Sequence, residues 1–251
     1  MSQSTVAFPA RVVVSLRAGF VLAIANVVCV AILAWAFLRV KGESQVINVT
    51  GSAKKQIESD LIVWRGKILV NDKDLVAGYN ALQAATERTT AYLRQQGVPD
   101  AAVEVSSVST NRNLSRDEKG NVTDQVTSYD LTRTVTITST DVRKIAQVAS
   151  RATELIREGV MLQSDAPQYI YTKLGDLKVQ MLADATKDAT TRARQIADNS
   201  GARLGPIRDA RMGVMQINAL HSTDVSDSGN NDTTSLEKEI TAVVSAKFEL
   251  D

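Results

Sequence analysis

Residues 18–38 read AGFVLAIANVVCVAILAWAFL, a run with no charged side chain and with Asn26 as its one strongly polar residue. At about 1.5 Å per residue a helix of this length covers about 30 Å, the thickness of bilayer hydrocarbon. Such a run leaves the chain few options. The reading adopted is a single membrane-spanning signal-anchor helix with everything after it on one side. A cleaved signal peptide competes with it, because Arg11 and Arg17 form a basic start and Ala34-Trp35-Ala36 has the small-x-small cleavage pattern. The run continues through Phe37 and Leu38, however, and is long for a signal core, which favours retention. A buried core helix is disfavoured, since charges close both ends and no apolar stripe separates the faces.

The flanks set the orientation. Residues 1–17 carry Arg11 and Arg17 and no acid, so they are expected to stay in the cytoplasm as a short tail. Arg39 and Lys41 nearly balance that count, but long domains cross largely regardless of their charge. Residues 39–45 then read as a spacer and residues 46–251 as one domain outside the cytoplasm.

About 210 residues beyond the run suffice for one substantial core or two small ones. Net charge is +1 without long like-charged blocks, so nothing resembles the basic footprint of a nucleic-acid binder. Aromatic residues make up 4%, which disfavours base-stacking platforms and sugar clefts. The single cysteine, Cys29, lies inside the apolar run, so the exported part has neither disulfides nor thiol chemistry.

Patterning after the run alternates between periods of two and 3.6. Residues 46–51 read as a strand ended by Gly51, and residues 61–70 as a second with Ile62, Trp64, Ile68 and Val70 on one face. Asn71-Asp72 is expected to cap a helix carrying Leu75, Tyr79, Leu82, Thr86 and Leu93, stopped by Gly97. Residues 103–114 form a strand whose alternation slips between Val105 and Val108, the mark of a bulge. Residues 117–121 make a polar hairpin tip, and residues 128–137 return as a strand with one face wet. Thr140 or Asp141 opens a helix with Val142, Ile145, Ala149, Ala152 and Ile156 in register, ended by Gly159. Residues 160–171 are extended and broken at Pro167. The order β-α-β-β-α-β is that of the ferredoxin-like split βαβ core.

A longer helix follows over residues 173–200. Its Ala185, Ala189, Ala193 and Ala197 form a line at four-residue spacing that admits close backbone approach. That line has two readings: packing on the protein's own sheet, or an intermolecular helix–helix assembly face. Asp188 and Arg192 are placed to pair at i,i+4. Gly205-Pro206 turns the chain into a strand through Ile217. Residues 221–235 read as a flexible polar loop with no means of burying apolar area, and residues 240–250 as a strongly alternating last strand. The fold class is therefore α+β: a ferredoxin-like core, an added long helix and C-terminal strands, preceded by one transmembrane helix.

The search for chemistry is largely negative. The one histidine, His221, falls at the mouth of the polar loop and reads as solvated rather than as a catalytic base. One histidine and one membrane-embedded cysteine do not make a zinc site. Asp224, Asp227 and Asp232 do not match the ligand spacing of a calcium loop. No glycine-rich phosphate loop precedes a helix. Trp64, Tyr169 and Tyr171 read as core or rim packing. No catalytic, metal or cofactor residue is assigned, and no cofactor is expected. An enzyme using Asp60, Asp141, Asp176 or Asp184 is the rival from another class, although each has a capping, turn or solvated-face explanation.

Several short motifs, in order, carry a resemblance. They are Val49-Thr50-Gly51, Asp60 ahead of the second strand, Gly97-Val98 followed by Val103-Glu104-Val105-Ser106, Tyr129, and Gly201-Ala202-Arg203-Leu204-Gly205 after the alanine-rich helix. Over residues 45–251 the chain resembles the SIMPL domain family, also called DUF541, departing from its usual pattern at Ser59. The resemblance implies an exported bacterial envelope protein without established catalytic residues; with the apolar run, the expected location is then the inner membrane of a bacterium, single-pass, with the domain in the periplasm or otherwise outside the cytoplasm. It also implies a link to oxidative-stress tolerance and, for some members, ring-forming homo-oligomers. The expected function is that of a membrane-anchored protein acting by self-assembly or by binding envelope partners.

Overall fold

Turn and cap residues divide the chain into elements of the expected types, and the computed structural model describes residues 10–41 and 45–250. In chain order these are α1 (Ala10–Lys41), β1 (Gln45–Glu58), β2 (Leu61–Asp72), α2 (Leu75–Gln95), β3 (Val103–Val105), β4 (Ser109–Arg116) and β5 (Val122–Ser139). Then follow α3 (Val142–Arg151), β6 (Leu162–Ser164), β7 (Gln168–Ile170), α4 (Leu174–Ser200), β8 (Leu204–Met212), β9 (Gln216–Ala219) and β10 (Glu237–Leu250). Residues 1–9 of the expected tail and 42–44 of the expected spacer lie outside the described residues. The class is α+β.

Within α1, Gly19–Phe37 has a mean hydropathy of 2.6 and none of it is buried, so it is long and apolar enough to cross a membrane.

Two antiparallel sheets carry the rest. In one, β1 pairs with β10 over the whole length of both strands, from Gln45 opposite Leu250 to Glu58 opposite Glu237. The strands β8 and β9 share the other side of β10. In the second, β5 and β2 are central, β3 and β4 lie outside β5, and β6 and β7 lie outside β2. The slip anticipated after Val105 is visible in the pairing. Val105 faces Val135 and Ser109 faces Thr132, four residues against three, the count of a bulge. Helices α2 and α3 pack on the second sheet around Ile62, Trp64, Leu82, Leu93, Val135, Ile145 and Leu155. Trp64 is fully buried, donates from Nε1 to Ser164 Oγ at 3.0 Å, and lies across Gly66, where a Cβ would meet its ring at 2.7 Å.

Helix α4 covers the first sheet. Leu177, Met181, Ala185, Ala189, Ala193 and Ala197 form its buried stripe. Ala185, Ala189, Ala193 and Ala197 have no exposed surface, and the first three rest with Val49, Val244, Ala246 and Phe248 on the chain's own strands. An intermolecular contact along the same line would require α4 to leave the sheet.

Several local expectations need correction. Gly51 does not end the first strand; it sits mid-strand because α4 passes so close that a Cβ there would lie 2.3 Å from Ala185 O and Ala189 N. The cap of α2 is Asp74, which accepts from Ala77 N at 2.7 Å, while Asp72 accepts from Asp74 N. After Arg151 the helix tightens into a 3₁₀ segment, Ala152–Glu158. The changed period buries Leu155 and leaves Ile156 55% exposed, where a continuous α-helix would have buried Ile156. Gly205-Pro206 lies inside β8, an outer strand with register shifts against β10, where proline is tolerated. That strand stops at Met212, so residues 213–215 separate it from β9.

Candidate functional site

The expected strand over residues 205–217 is in fact two strands with a crossing between them, and this crossing builds the most developed concavity. Gly213 N donates to Val243 O at 2.9 Å, pinning the crossing to β10. Met212, Val214 and Met215 form one wall of the cleft behind it. The opposite wall is the outer shoulder of α4, where Leu174, Lys178 and Leu182 recur at four-residue spacing with Val179 beside them. The end is closed by Ser228, Gly229, Asn230 and Asn231 of the polar loop. The cleft holds about 680 Å³, within the range of small-ligand pockets. Val179, Met212 and Val214 are 72%, 60% and 49% exposed. Large apolar groups left open around one concavity mark a binding surface more often than an idle one.

The loop that closes the cleft is held by Gln216, which is itself buried. Its Nε2 donates to Ser226 O at 2.7 Å, and its Oε1 accepts from Asn230 N at 2.9 Å. Ile217 N donates to Asn230 O and Asp232 N to Ile217 O, both at 2.9 Å. Gly229 adopts φ +86°, and a Cβ there would meet Val214 Cγ1 at 2.7 Å, so glycine lets the loop lie against the crossing. Within the loop expected to be flexible, Ser226, Asn230 and Asp232 thus carry backbone and amide hydrogen bonds to β9. Short polar side chains that cannot build an apolar core have built turns instead.

Lys238 fixes the base of the same loop. It is 2% exposed, and its Nζ donates to Tyr169 O at 2.7 Å and to Asp232 O. It therefore joins β10 of one sheet to β7 of the other through the loop. Burial pushes its ammonium below the ordinary lysine value, and the Asp232 carboxylate opposes that only in part.

The carboxylates considered for chemistry have structural partners or plain surface positions. Asp60 accepts from Thr172 N at 2.7 Å and Thr172 Oγ1 at 2.8 Å, tying the start of β2 to the approach of α4. Burial raises its pKa, and the two Thr172 bonds outweigh this and hold it below the usual carboxylate range. Asp141 caps α3 by accepting from Lys144 N, and Asp176 sits exposed in the first turn of α4. Asp184 is exposed. Asp188 accepts from Ser52 N at 2.9 Å and from Arg192 Nε at 2.8 Å, and these bonds, that from Ser52 first, lower its pKa. His221 is exposed and adopts φ +68°. Among the described residues no three His, Cys, Asp or Glu side chains converge as metal ligands.

The cleft itself was not read from sequence. Its walls are a helix shoulder and a strand break, and neither periodicity nor composition distinguishes an outward Val179 from ordinary surface. The signal available was the break at Gly213 within an apolar stretch. What the arrangement supports is recognition: an apolar trough, two asparagines, one serine and, among the described lining residues, one ionisable group, Lys178.

A family model described as "SIMPL: Protein of unknown function (DUF541)" matches residues 47–248, from β1 to β10 and so through both sheets and the cleft. No curated protein matches the chain.

Proposed function

The chain belongs to the SIMPL (DUF541) family, and from that premise we propose that it is a single-pass, membrane-anchored envelope protein whose domain outside the cytoplasm works by binding. The observation that carries this reading is the open apolar cleft between α4 and the β8–β9 crossing, set on a domain that follows a helix able to cross a membrane. In this reading the second sheet has the ferredoxin-like arrangement and serves as the scaffold. Residues 18–38 keep the domain at the inner membrane, facing the periplasm. Envelope partners or further copies of the chain are the expected associates, and oxidative-stress tolerance is the expected setting.

Cys29 supplies a direct test, being the single cysteine and lying upstream of the candidate cleavage site at residues 34–36. A retained anchor leaves one titratable thiol per denatured mature chain and a protein that resists carbonate extraction. A thiol-free protein beginning at Phe37 and released from membranes overturns the anchored reading. Light scattering on the detergent-extracted protein tests assembly, with a mass above that of one chain as the expected result.

A further inference from the structure

We infer that the cleft takes an anionic single-chain amphiphile, its hydrocarbon tail along the trough and its head at Lys178. This deepens the reading of the domain as a binding module and rests on it. Two observations select the ligand class. The first is charge: Lys178 is exposed on the rim, is the one ionisable group among the described lining residues, and has no carboxylate within ion-pair distance among them. Asp176 and Asp227, on the neighbouring segments, do not line the cleft. A cationic head would meet an unneutralised ammonium there, whereas an anionic head completes it.

The second is hydrogen bonding. An extended peptide must find partners for its own N–H and C=O groups. Along this trough the amides of Gly213, Ile217, Gly229 and Asn230 already donate to Val243 O, Asn230 O, Ser226 O and Gln216 Oε1. A hydrocarbon tail needs no such partners and gains from every apolar side chain it covers. The size of the cleft, about 680 Å³, suits one chain with a compact head.

The test uses the full-length protein in nanodiscs with carbon-13-labelled methionine methyl groups, titrated separately with decanoate, decyltrimethylammonium and decyl maltoside. Decanoate is expected to shift the Met212 and Met215 methyl signals saturably. Met161, which lies away from the cleft, and Met181, on the buried face of α4, stay in place. Lys178→Gln weakens decanoate about fivefold, the upper end for a surface charge pair. Val179→Asp abolishes the shift while an unmoved Met181 signal reports an intact α4. Equal binding of the three amphiphiles, a linear non-saturating shift, or no effect of Lys178→Gln overturns the proposal. Failure here with one thiol per chain leaves the anchored binding module standing, whereas a thiol-free protein removes that reading first.

Discussion

Replacing Gly51 with alanine probes the tightest site among the described glycines. The added Cβ would lie 2.3 Å from Ala185 O and Ala189 N and 2.7 Å from Ala189 Cα. All three are helix backbone, so no rotamer change relieves them. Restoring an ordinary contact near 3.4 Å moves α4 away from β1 by about 1 Å. A radial gap of that size forfeits a quarter to a half of each dispersion contact it opens, and it opens along the whole alanine stripe. Overpacking of this kind costs about 1–3 kcal/mol, sometimes more. The backbone-entropy benefit of removing a glycine offsets only about 0.5–1 kcal/mol. A net loss of about 2 kcal/mol corresponds to a fall in Tm of about 4–8 °C for a domain of this size. Thermal circular dichroism of the full chain in detergent measures it. Gly175→Ala is the control, because that glycine opens α4 and an alanine methyl there would have nothing within 4 Å. At that position the change should raise stability by about 0.5–1 kcal/mol. A Gly51→Ala protein melting within about 2 °C of the parent would refute the claim that glycine is required for α4 to seat.

Other consequences are equally direct. Lys238→Met removes both donors to Tyr169 O and Asp232 O, and should destabilise by about 2–4 kcal/mol in urea titration through two orphaned carbonyls. Gln216→Ala leaves the first sheet intact but should speed hydrogen exchange at the amides of Ser226 and Asn230 at least about tenfold, one lost bond being worth about 1.4 kcal/mol. Asp60 has its folded pKa below the unfolded value, so the carboxylate's stabilisation is fully present above the ordinary range. It is lost as pH falls through about 4 and on through the folded value. Asp60→Asn should therefore cost about 1–2 kcal/mol at neutral pH and flatten the stability profile below about pH 4, as followed by acid titration of the folded fraction.

Much of this architecture was legible in the chain because burial imposes a period. Residues 240–250 alternate so strictly that β10 buries Ile240, Ala242, Val244, Ala246 and Phe248 as expected; the pattern fails only at its end, where Glu249 is buried and Leu250 half-buried. The 3.6-residue stripe of α4 and the alternation in β2 are of the same kind. Asp141 and Gly97 were readable because caps and left-handed turns admit few residues. Signals failed where long-range packing decides the outcome. Gly51 reads locally as a stop, and only the arrival of α4, more than a hundred residues later, makes it a contact point. Ile156 loses its place to Leu155 because a helix changed its period, which no cap residue announces. The β8–β9 crossing and Lys238 were hidden for a related reason. A lysine in an alternating strand is ordinarily a surface residue, and its two carbonyl partners come from segments that sequence does not place beside it.

The full-length pairing of β1 with β10 has a consequence for biogenesis. The strand nearest the apolar helix is the first of the domain to emerge, yet its strand partner among the described residues is β10, about two hundred residues later at Glu237–Leu250. The intervening sheet built on β2 draws its strands from residues 61–170 and can form while synthesis continues. The segment from 45 to 58 must meanwhile wait, its ladder unmade, for a contact of very large sequence separation. Nascent chains stalled before β10 should expose this orphan edge to proteases and to holdase chaperones, and emergence of residues 237–250 should withdraw it in one step.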